Sequence, residues 1–189
     1  MKRFFSCLIV VLLLLSGCGS PEPRESRTVV VTIWPVYDWV CALLGDQAGD
    51  WDVTLLCDGS TDLHSYQPSV ADIVKISTCD LFLCVGGESD AWVEDALQGA
   101  VNPDMQVLSL LELLGDQALQ EEPLEGMQPE EAEEASDEHI WLSLKNAEIF
   151  CGVIADALSD LLPERAAVFA ENLAAYQARL AGLDARYQE

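Results

Sequence analysis

Two segments of the chain carry the residues best suited to bind a metal ion. The sequence holds only two histidines: His64 lies in the segment 62–68 (DLHSYQP) and His139 in the segment 137–141 (DEHIW). Neither histidine falls within an apolar periodic run, which argues against a place in a hydrophobic core. Imidazole nitrogen is a ready ligand of zinc, and manganese accepts it while preferring more oxygen. The alternative for each is an ordinary surface histidine in a loop.

The hydrophobic pattern predicts the elements that position these loops. Short, apolar, β-branched runs predict strands, and segments with helical spacing lie between them. The predicted strands are 28–33, 53–57, 80–85 and 106–108, and the predicted helices are 36–44, 68–77 (with Pro68 in the first turn), 91–97 and 144–162. This alternation favours an α/β fold with a roughly four-stranded parallel sheet flanked by helices on both faces. Such sheets bind ligands at the loops after their strands, and His64 follows the second strand.

The N-terminus resembles the export signal of a bacterial lipoprotein. Lys2 and Arg3 precede an apolar run that is too short to span a bilayer, and the run ends in Ser16, Gly17 and Cys18. We therefore expect residues 1–17 to be a signal peptide, Cys18 to be acylated, and residues 18–27 to be a flexible tether. A diacylated cysteine supplies the two chains that stable anchoring needs. The alternative is an ordinary signal whose cysteine is incidental.

The other cysteines predict packing rather than chemistry. Apart from Cys7 and Cys18 there are five, an odd number, with no CxxC spacing, and most lie in apolar stretches. We interpret them as small buried hydrophobic residues. A disulfide framework or a cysteine metal site is the alternative.

The charge of the chain bears on its partners. The formal net charge is −24, and it becomes −26 without residues 1–17, which contribute Lys2 and Arg3 and no acid. A domain this acidic is repelled by phosphate backbones, so we expect no nucleic-acid partner. Such a charge suits the capture of cations, although acidity mostly reflects solubility.

Two stretches differ from the α/β pattern. Residues 115–138 hold ten acidic residues and two prolines, which predicts an acidic surface loop. The loop is interpreted as a solvated spacer, and the alternatives are that it concentrates cations loosely or lends a carboxylate to the metal site. After Pro163, apolar residues at helical spacing predict a second long helix that runs to the end of the chain.

Several segments, taken in order, resemble the TroA-like (cluster A-I) solute-binding proteins of zinc and manganese ABC importers. The similarity covers nearly the whole chain after the tether, and two separate histidine motifs in the right order make it specific. The segments are 34–38, 62–68, 72–73, 77–81, 86–92, 137–142 with 146–147, and 176–187.

The resemblance implies which residues form the site. In the family, the metal lies in a cleft between two lobes, and the N-terminal lobe gives two histidines. The resemblance thus implies that His64 and His139 are the metal ligands. Asp62 and Asp137 are either partners that orient the imidazoles or caps of their loops, two hypotheses that carry equal weight here.

The resemblance also implies a function. The chain is expected to be extracytoplasmic, lipid-anchored to the bacterial cell membrane, and to capture zinc (or, less favoured, manganese) for an ABC permease and its ATPase, without enzyme activity. One alternative is a surface adhesin or interaction lipoprotein of the same fold. A metal hydrolase with His64, His139 and a glutamate base is less favoured, because the sequence contains no HExxH or GxSxG motif.

The organisation implied by the family differs from this chain in one respect. Residues 28–162 resemble the N-terminal metal-binding lobe, and residues 163–189 resemble part of the helix that connects the two lobes. The second lobe, which gives a further histidine or carboxylate and an acidic ligand, is absent from this sequence. We expect the sequence to be a fragment. A truncated gene product, or a separate chain that supplies the other lobe, are the alternatives.

Overall fold

The computed structural model of the chain describes residues 26–59, 62–115 and 137–187. The signal peptide 1–17, Cys18, nearly all of the tether and most of the acidic segment 115–138 lie outside these ranges. The strands are Arg27–Val31 (β1), Trp51–Leu55 (β2), Leu81–Cys84 (β3) and Gln106–Ser109 (β4). The helices are Trp34–Leu44 (α1), Val70–Thr78 (α2), Trp92–Gln98 (α3), Leu110–Leu114 (α4), Leu144–Leu161 (α5) and Ala166–Tyr187 (α6).

The four strands form one parallel sheet in the order β2-β1-β3-β4. Val29 of β1 is paired with Val53 of β2 on one side and with Leu81 of β3 on the other. Parallel strands place all their carboxyl ends at one edge, so the loops that follow β1, β2 and β3 meet there. The predicted α/β fold with a four-stranded parallel sheet is confirmed.

Helices cover both faces of the sheet, as predicted. Alternate residues of a strand point to opposite faces, so Val29 and Val31 belong to one core and Val30 to another. The larger core lies against α1, α5 and α6, and its side chains include Phe150 and Phe169. The smaller core contains Ile76 from α2 and residues of β3 and α3.

Two helices begin at residues other than those predicted, and a proline lies near each start. Pro68 is predicted in the first turn of α2, but the helix begins at Val70 and Ser69 is its N-cap. The Ser69 hydroxyl accepts from the N–H of Asp72 while the Asp72 carboxylate accepts from the N–H of Ser69, which fixes the start after the proline. Pro35 instead lies inside the first turn of α1, where its missing N–H costs nothing.

The last helix packs on the rest of the fold. A short turn, Pro163–Arg165, separates α5 from α6. The side chains of Phe169 and Leu180 are buried, and Asn172 Nδ2 donates to the carbonyl of Leu43 at 2.8 Å. In the ranges that the structure describes, no helix combines the length and the apolar character that crossing a membrane requires.

The predicted role of the five cysteines agrees with their burial. Cys57, Cys79, Cys84 and Cys151 are buried, Cys41 is half-buried, and none of these five forms a disulfide in the part of the chain that the structure describes. Burial raises the pKa of the Cys57 thiol to about 11 and that of Cys84 to about 12. At neutral pH these side chains remain thiols inside apolar surroundings.

Candidate metal centre

The two histidines meet at the carboxyl edge of the sheet. His64 lies in a single 3-10 turn, Leu63–Ser65, in the connection from β2 to α2. His139 directly precedes another 3-10 turn, Ile140–Leu142, which leads into α5. The centroids of the two imidazole rings are 5.4 Å apart. The structure therefore brings both sequence-predicted ligands together from separate loops.

The turn that carries His64 is capped by Asp62. Asp62 Oδ1 accepts a hydrogen bond of 2.9 Å from the backbone N–H of His64, and the carbonyl of Asp62 accepts from the Ser65 hydroxyl at 3.2 Å. The Asp62 carboxylate thus holds the backbone of His64. The ring has a different partner, since His64 Nδ1 lies 2.7 Å from Ser89 Oγ in the loop after β3.

Asp137 contacts both the backbone and the ring of His139. Its Oδ1 lies 2.8 Å from the backbone nitrogen of His139 and 3.0 Å from the ring nitrogen Nδ1. The backbone hydrogen bond and the ring contact lower the pKa of Asp137 despite partial burial. The Trp141 ring also contacts His139, with its centroid 5.3 Å from that of the imidazole. This arrangement fits a carboxylate that orients the imidazole as well as capping its loop.

These contacts decide which imidazole nitrogen is available. A carboxylate has only acceptor oxygens, so Nδ1 of His139 must carry the proton that is donated to Asp137. The lone pair of His139 then lies on Nε2. Both rings are partly accessible, with side-chain exposures of 53% for His64 and 44% for His139. Zinc–nitrogen distances of about 2.0–2.1 Å at tetrahedral angles put the centroids of two imidazole ligands roughly 5 Å apart. The observed separation matches that value.

Ser89 and Glu138 lie beside the two histidines, and the sequence predicted no role for either in metal binding. Glu138 is only 6% exposed, and its Oε1 accepts from the backbone N–H of Ser89 at 3.0 Å. Its Oε2 accepts from the Ser89 hydroxyl. Gly87, at φ +79°, allows this packing, because a Cβ at that position would overlap the Glu138 carboxylate. In the sequence, the only signals of this contact are the pair Gly86 and Gly87 and the acidic residue next to His139.

Asp90 holds the loop after β3 in place. Its Oδ2 accepts from the backbone N–H groups of Val85 at 2.7 Å and Gly86 at 3.0 Å. Burial raises the pKa of the Asp90 carboxyl, an effect that these two hydrogen bonds oppose. Because Asp90 is next to Ser89, the hydroxyl that contacts His64 stands on a fixed part of the backbone.

Among the described residues, the candidate ligands at this edge are the two imidazoles. Throughout 26–59, 62–115 and 137–187, no group of three or more histidine, cysteine, aspartate or glutamate side chains is arranged to hold a metal ion. Glu138 is close, but Oε2 lies 3.8 Å from His64 Nδ1 and both carboxylate oxygens accept from Ser89. The described residues therefore offer half of a tetrahedral coordination shell.

The chain is similar in sequence to known metal-binding proteins. The family model for the periplasmic zinc-uptake complex component A, ZnuA, matches residues 29–189. The zinc-binding lipoprotein AdcA of Streptococcus pneumoniae is 30% identical over 187 residues, which cover 94% of this chain and 35% of that protein. The manganese-binding lipoprotein MntA of Halalkalibacterium halodurans is 25% identical over 181 residues, with coverage of 93% and 55%.

A solved structure supports the same relationship. The crystal structure of Zn(II)-bound AdcA from Streptococcus pneumoniae superposes with a TM-score of 0.68 and 28% sequence identity, and the match covers 86% of this chain and 32% of that one. The chain thus spans about a third of the length of the AdcA protein and about half the length of MntA.

Proposed function

The chain belongs to the ZnuA family of zinc-uptake components, and from this premise we propose that it is the N-terminal, metal-capturing lobe of an extracytoplasmic solute-binding protein. Its substrate is a divalent metal ion, zinc in preference to manganese, which it delivers to the permease and ATPase of an ABC importer. His64 and His139 are the ligands. The lobe comprises residues 28–162, and residues 163–189 belong to the helix that connects it to a second lobe.

One observation carries the proposal: two imidazoles from separate loops lie 5.4 Å apart, at the spacing of two ligands on one zinc ion. Nδ1 of His139 contacts Asp137, and Nδ1 of His64 contacts Ser89. In both imidazoles, Nε2 is therefore the nitrogen left for the metal. Two nitrogen donors favour zinc, because manganese prefers sites richer in oxygen. The relative AdcA is named as a zinc-binding lipoprotein, which agrees with this preference. Because the relative MntA is named as manganese-binding, manganese is the second candidate substrate.

The remaining ligands come from a second lobe in this proposal. Zinc sites that hold their ion firmly have four ligands, and the described residues supply two. A half-shell binds weakly, which suits a receptor whose cleft closes over the ion and opens again to release it. The acylated Cys18 anchors the protein to the membrane at which the permease lies.

Zinc titration of the purified chain tests the ligand assignment. We expect weak zinc binding by the unsubstituted chain. His64→Ala and His139→Ala should each lower the zinc affinity by at least about 10-fold, since even the loss of a residue that only orients a ligand lowers affinity about 10–100-fold. Gln98→Ala, an exposed change on α3, is the matched control and should bind as the unsubstituted chain does. Unaltered affinity in both histidine variants would refute the assignment.

A zinc titration of the chain joined to a second lobe separates the alternatives. A surface interaction module of this fold would show no affinity for zinc even when joined to a second lobe. The hydrolase hypothesis needs a glutamate that is free to take a proton from water. Glu138, the acid beside His139, is buried and both its oxygens accept from Ser89, so no observation favours that reaction.

A further inference from the structure

We propose that Ser89 and Glu138 form a hydrogen-bonded relay that holds His64 in the tautomer with Nε2 free, and that brings a negative charge to the metal without occupying a coordination position. Ser89 and Glu138 are positioning residues, because they act through His64. The effect on metal binding rests on the proposed function, whereas the effect on the tautomer does not.

The direction of each hydrogen bond follows from which groups can donate. The Glu138 carboxylate only accepts, and the Ser89 hydroxyl has a single hydrogen, which it donates to Oε2. The 2.7 Å contact between Ser89 Oγ and His64 Nδ1 therefore requires the proton to lie on Nδ1. The proton of the imidazole is thus fixed on one nitrogen, and the lone pair of Nε2 faces away from the relay.

The serine is needed because the carboxylate does not reach the imidazole. The distance from Glu138 Oε2 to His64 Nδ1 is 3.8 Å, beyond hydrogen-bond length. Ser89 Oγ bridges this gap. By contrast, His139 contacts its carboxylate directly, at 3.0 Å from Asp137. Each imidazole thus has a carboxylate behind Nδ1, one direct and one reached through a hydroxyl.

The relay is built into the fold and not a chance surface contact. Glu138 is buried, its second oxygen accepts from the backbone of Ser89, and Gly87 leaves the space that its carboxylate fills. An imidazole whose Nδ1–H is held by an acceptor is a stronger ligand at Nε2. For His64 that acceptor is the Ser89 hydroxyl, which itself donates to the Glu138 carboxylate. Moreover, Glu138 Oε2 lies 3.8 Å from His64 Nδ1, so its negative charge would offset part of the charge of a zinc ion bound at Nε2.

Nitrogen-15 NMR of the histidine rings tests the relay in the metal-free chain, at a pH where both imidazoles are neutral. The shifts of Nδ1 and Nε2 report which nitrogen carries the proton. We expect the Nδ1–H tautomer for His64, a shift toward Nε2–H in Ser89→Ala, and retention of Nδ1–H in Ser89→Thr, which keeps the hydroxyl. Ser159→Ala, which loses one side-chain hydrogen bond inside α5, is the matched control.

Zinc affinity gives the second measurement. Ser89→Ala and Glu138→Gln should weaken binding by about 10–100-fold, as is typical for partners of metal ligands. Glu94→Gln, an equal change of charge at an exposed position on α3, should leave the affinity unaltered. His139 should keep its tautomer in each of these variants.

Three outcomes would overturn the inference. An Nε2–H tautomer of His64 in the unsubstituted chain removes the relay, and no variant is needed to see it. A tautomer that is unchanged in Ser89→Ala shows that the serine does not set it. A changed tautomer with unaltered zinc affinity removes the role in metal binding. If the unsubstituted chain binds no zinc, the proposed function fails, while the metal-free spectra still decide on the relay.

Discussion

The hydroxyl of Tyr66 donates a 3.1 Å hydrogen bond to Asp72 Oδ2, the same oxygen that accepts from the backbone and the side chain of Ser69. Tyr66 follows the turn that carries His64, and Asp72 lies in the first turn of α2. One carboxylate oxygen therefore joins the loop that carries His64 to the start of the helix behind it. The position of His64 depends on this junction as well as on Ser89.

Removal of the Tyr66 hydroxyl should break its hydrogen bond to Asp72 without creating a cavity in the core. The Tyr66 ring is 7% exposed and packs against Trp92, so Tyr66→Phe keeps the packing and loses one hydrogen bond. We expect a loss of about 0.5–1.5 kcal/mol in the free energy of unfolding, measured by urea denaturation. Tyr187→Phe, at a side chain that is 79% exposed, is the control and should have no effect. Equal stability of the two variants would contradict the junction.

The same carboxylate makes stability depend on acidity. Burial raises the pKa of Asp72, but hydrogen bonds from Ser69 and Tyr66 outweigh it, so the folded pKa lies below the ordinary value of 3.8. A lowered folded pKa means that the stabilisation is fully present above the unfolded pKa and is lost as the pH falls through the folded value. We therefore expect the stability difference between the unsubstituted chain and Asp72→Asn to shrink below about pH 4. Unfolding curves at neutral and acidic pH measure it, and a difference independent of pH would refute the assignment.

Gly87 is expected to tolerate no side chain. Its φ of +79° is strained for other residues, and a Cβ would overlap the Glu138 carboxylate. Gly87→Ala should therefore destabilise the chain by more than about 1 kcal/mol and displace Glu138 from Ser89. Gly182→Ala is the matched control: it lies in α6 with nothing near its Cβ, and should stabilise the helix by up to about 1 kcal/mol. If Gly87→Ala were as stable as this control, the loop would be shown to accommodate a Cβ at this position.

Much of the fold follows from local patterns in the sequence. Each strand overlaps a short apolar run, and the parallel order follows because a helix lies between successive strands. The apolar run of β2 ends shortly ahead of His64, and this order along the chain is enough to predict that the histidine lies at the ligand-binding edge. The short helix Leu110–Leu114 was not predicted, because five residues are too few to show a helical period.

The site was only half predictable for a different reason. Each histidine stood out by its type and by the segment around it, and each is two residues from an aspartate. Ser89 and Glu138 are 49 positions apart, and both are polar residues in loops, where such residues are ordinary. Their contact depends on how the loop after β3 packs against the segment that precedes α5. No spacing rule within either segment encodes that packing.

A pair of alanine variants decides between the two hypotheses for the aspartates beside the histidines. Asp62 is the N-cap of its 3-10 turn, whereas Asp137 lies two residues before His139, which is the N-cap of the other turn. In both segments, Oδ1 of the aspartate accepts from the backbone N–H of the histidine two residues later. Asp137 also contacts the ring, at 3.0 Å. Both substitutions remove an equivalent hydrogen bond to the histidine backbone, so the difference between them isolates the contact with the imidazole.

Asp137→Ala should therefore lower zinc affinity by about 10-fold or more, because His139 loses the group that holds its proton on Nδ1. Asp62→Ala should have the smaller effect, since Ser89 still holds the ring of His64. Calorimetric titration of both variants, with stability checked by thermal unfolding, measures the two effects side by side. If the two affinities fall equally, capping alone explains both aspartates. If only Asp137→Ala weakens binding, the carboxylate acts on the ligand itself, and the two imidazoles are held by different means for the same chemical end.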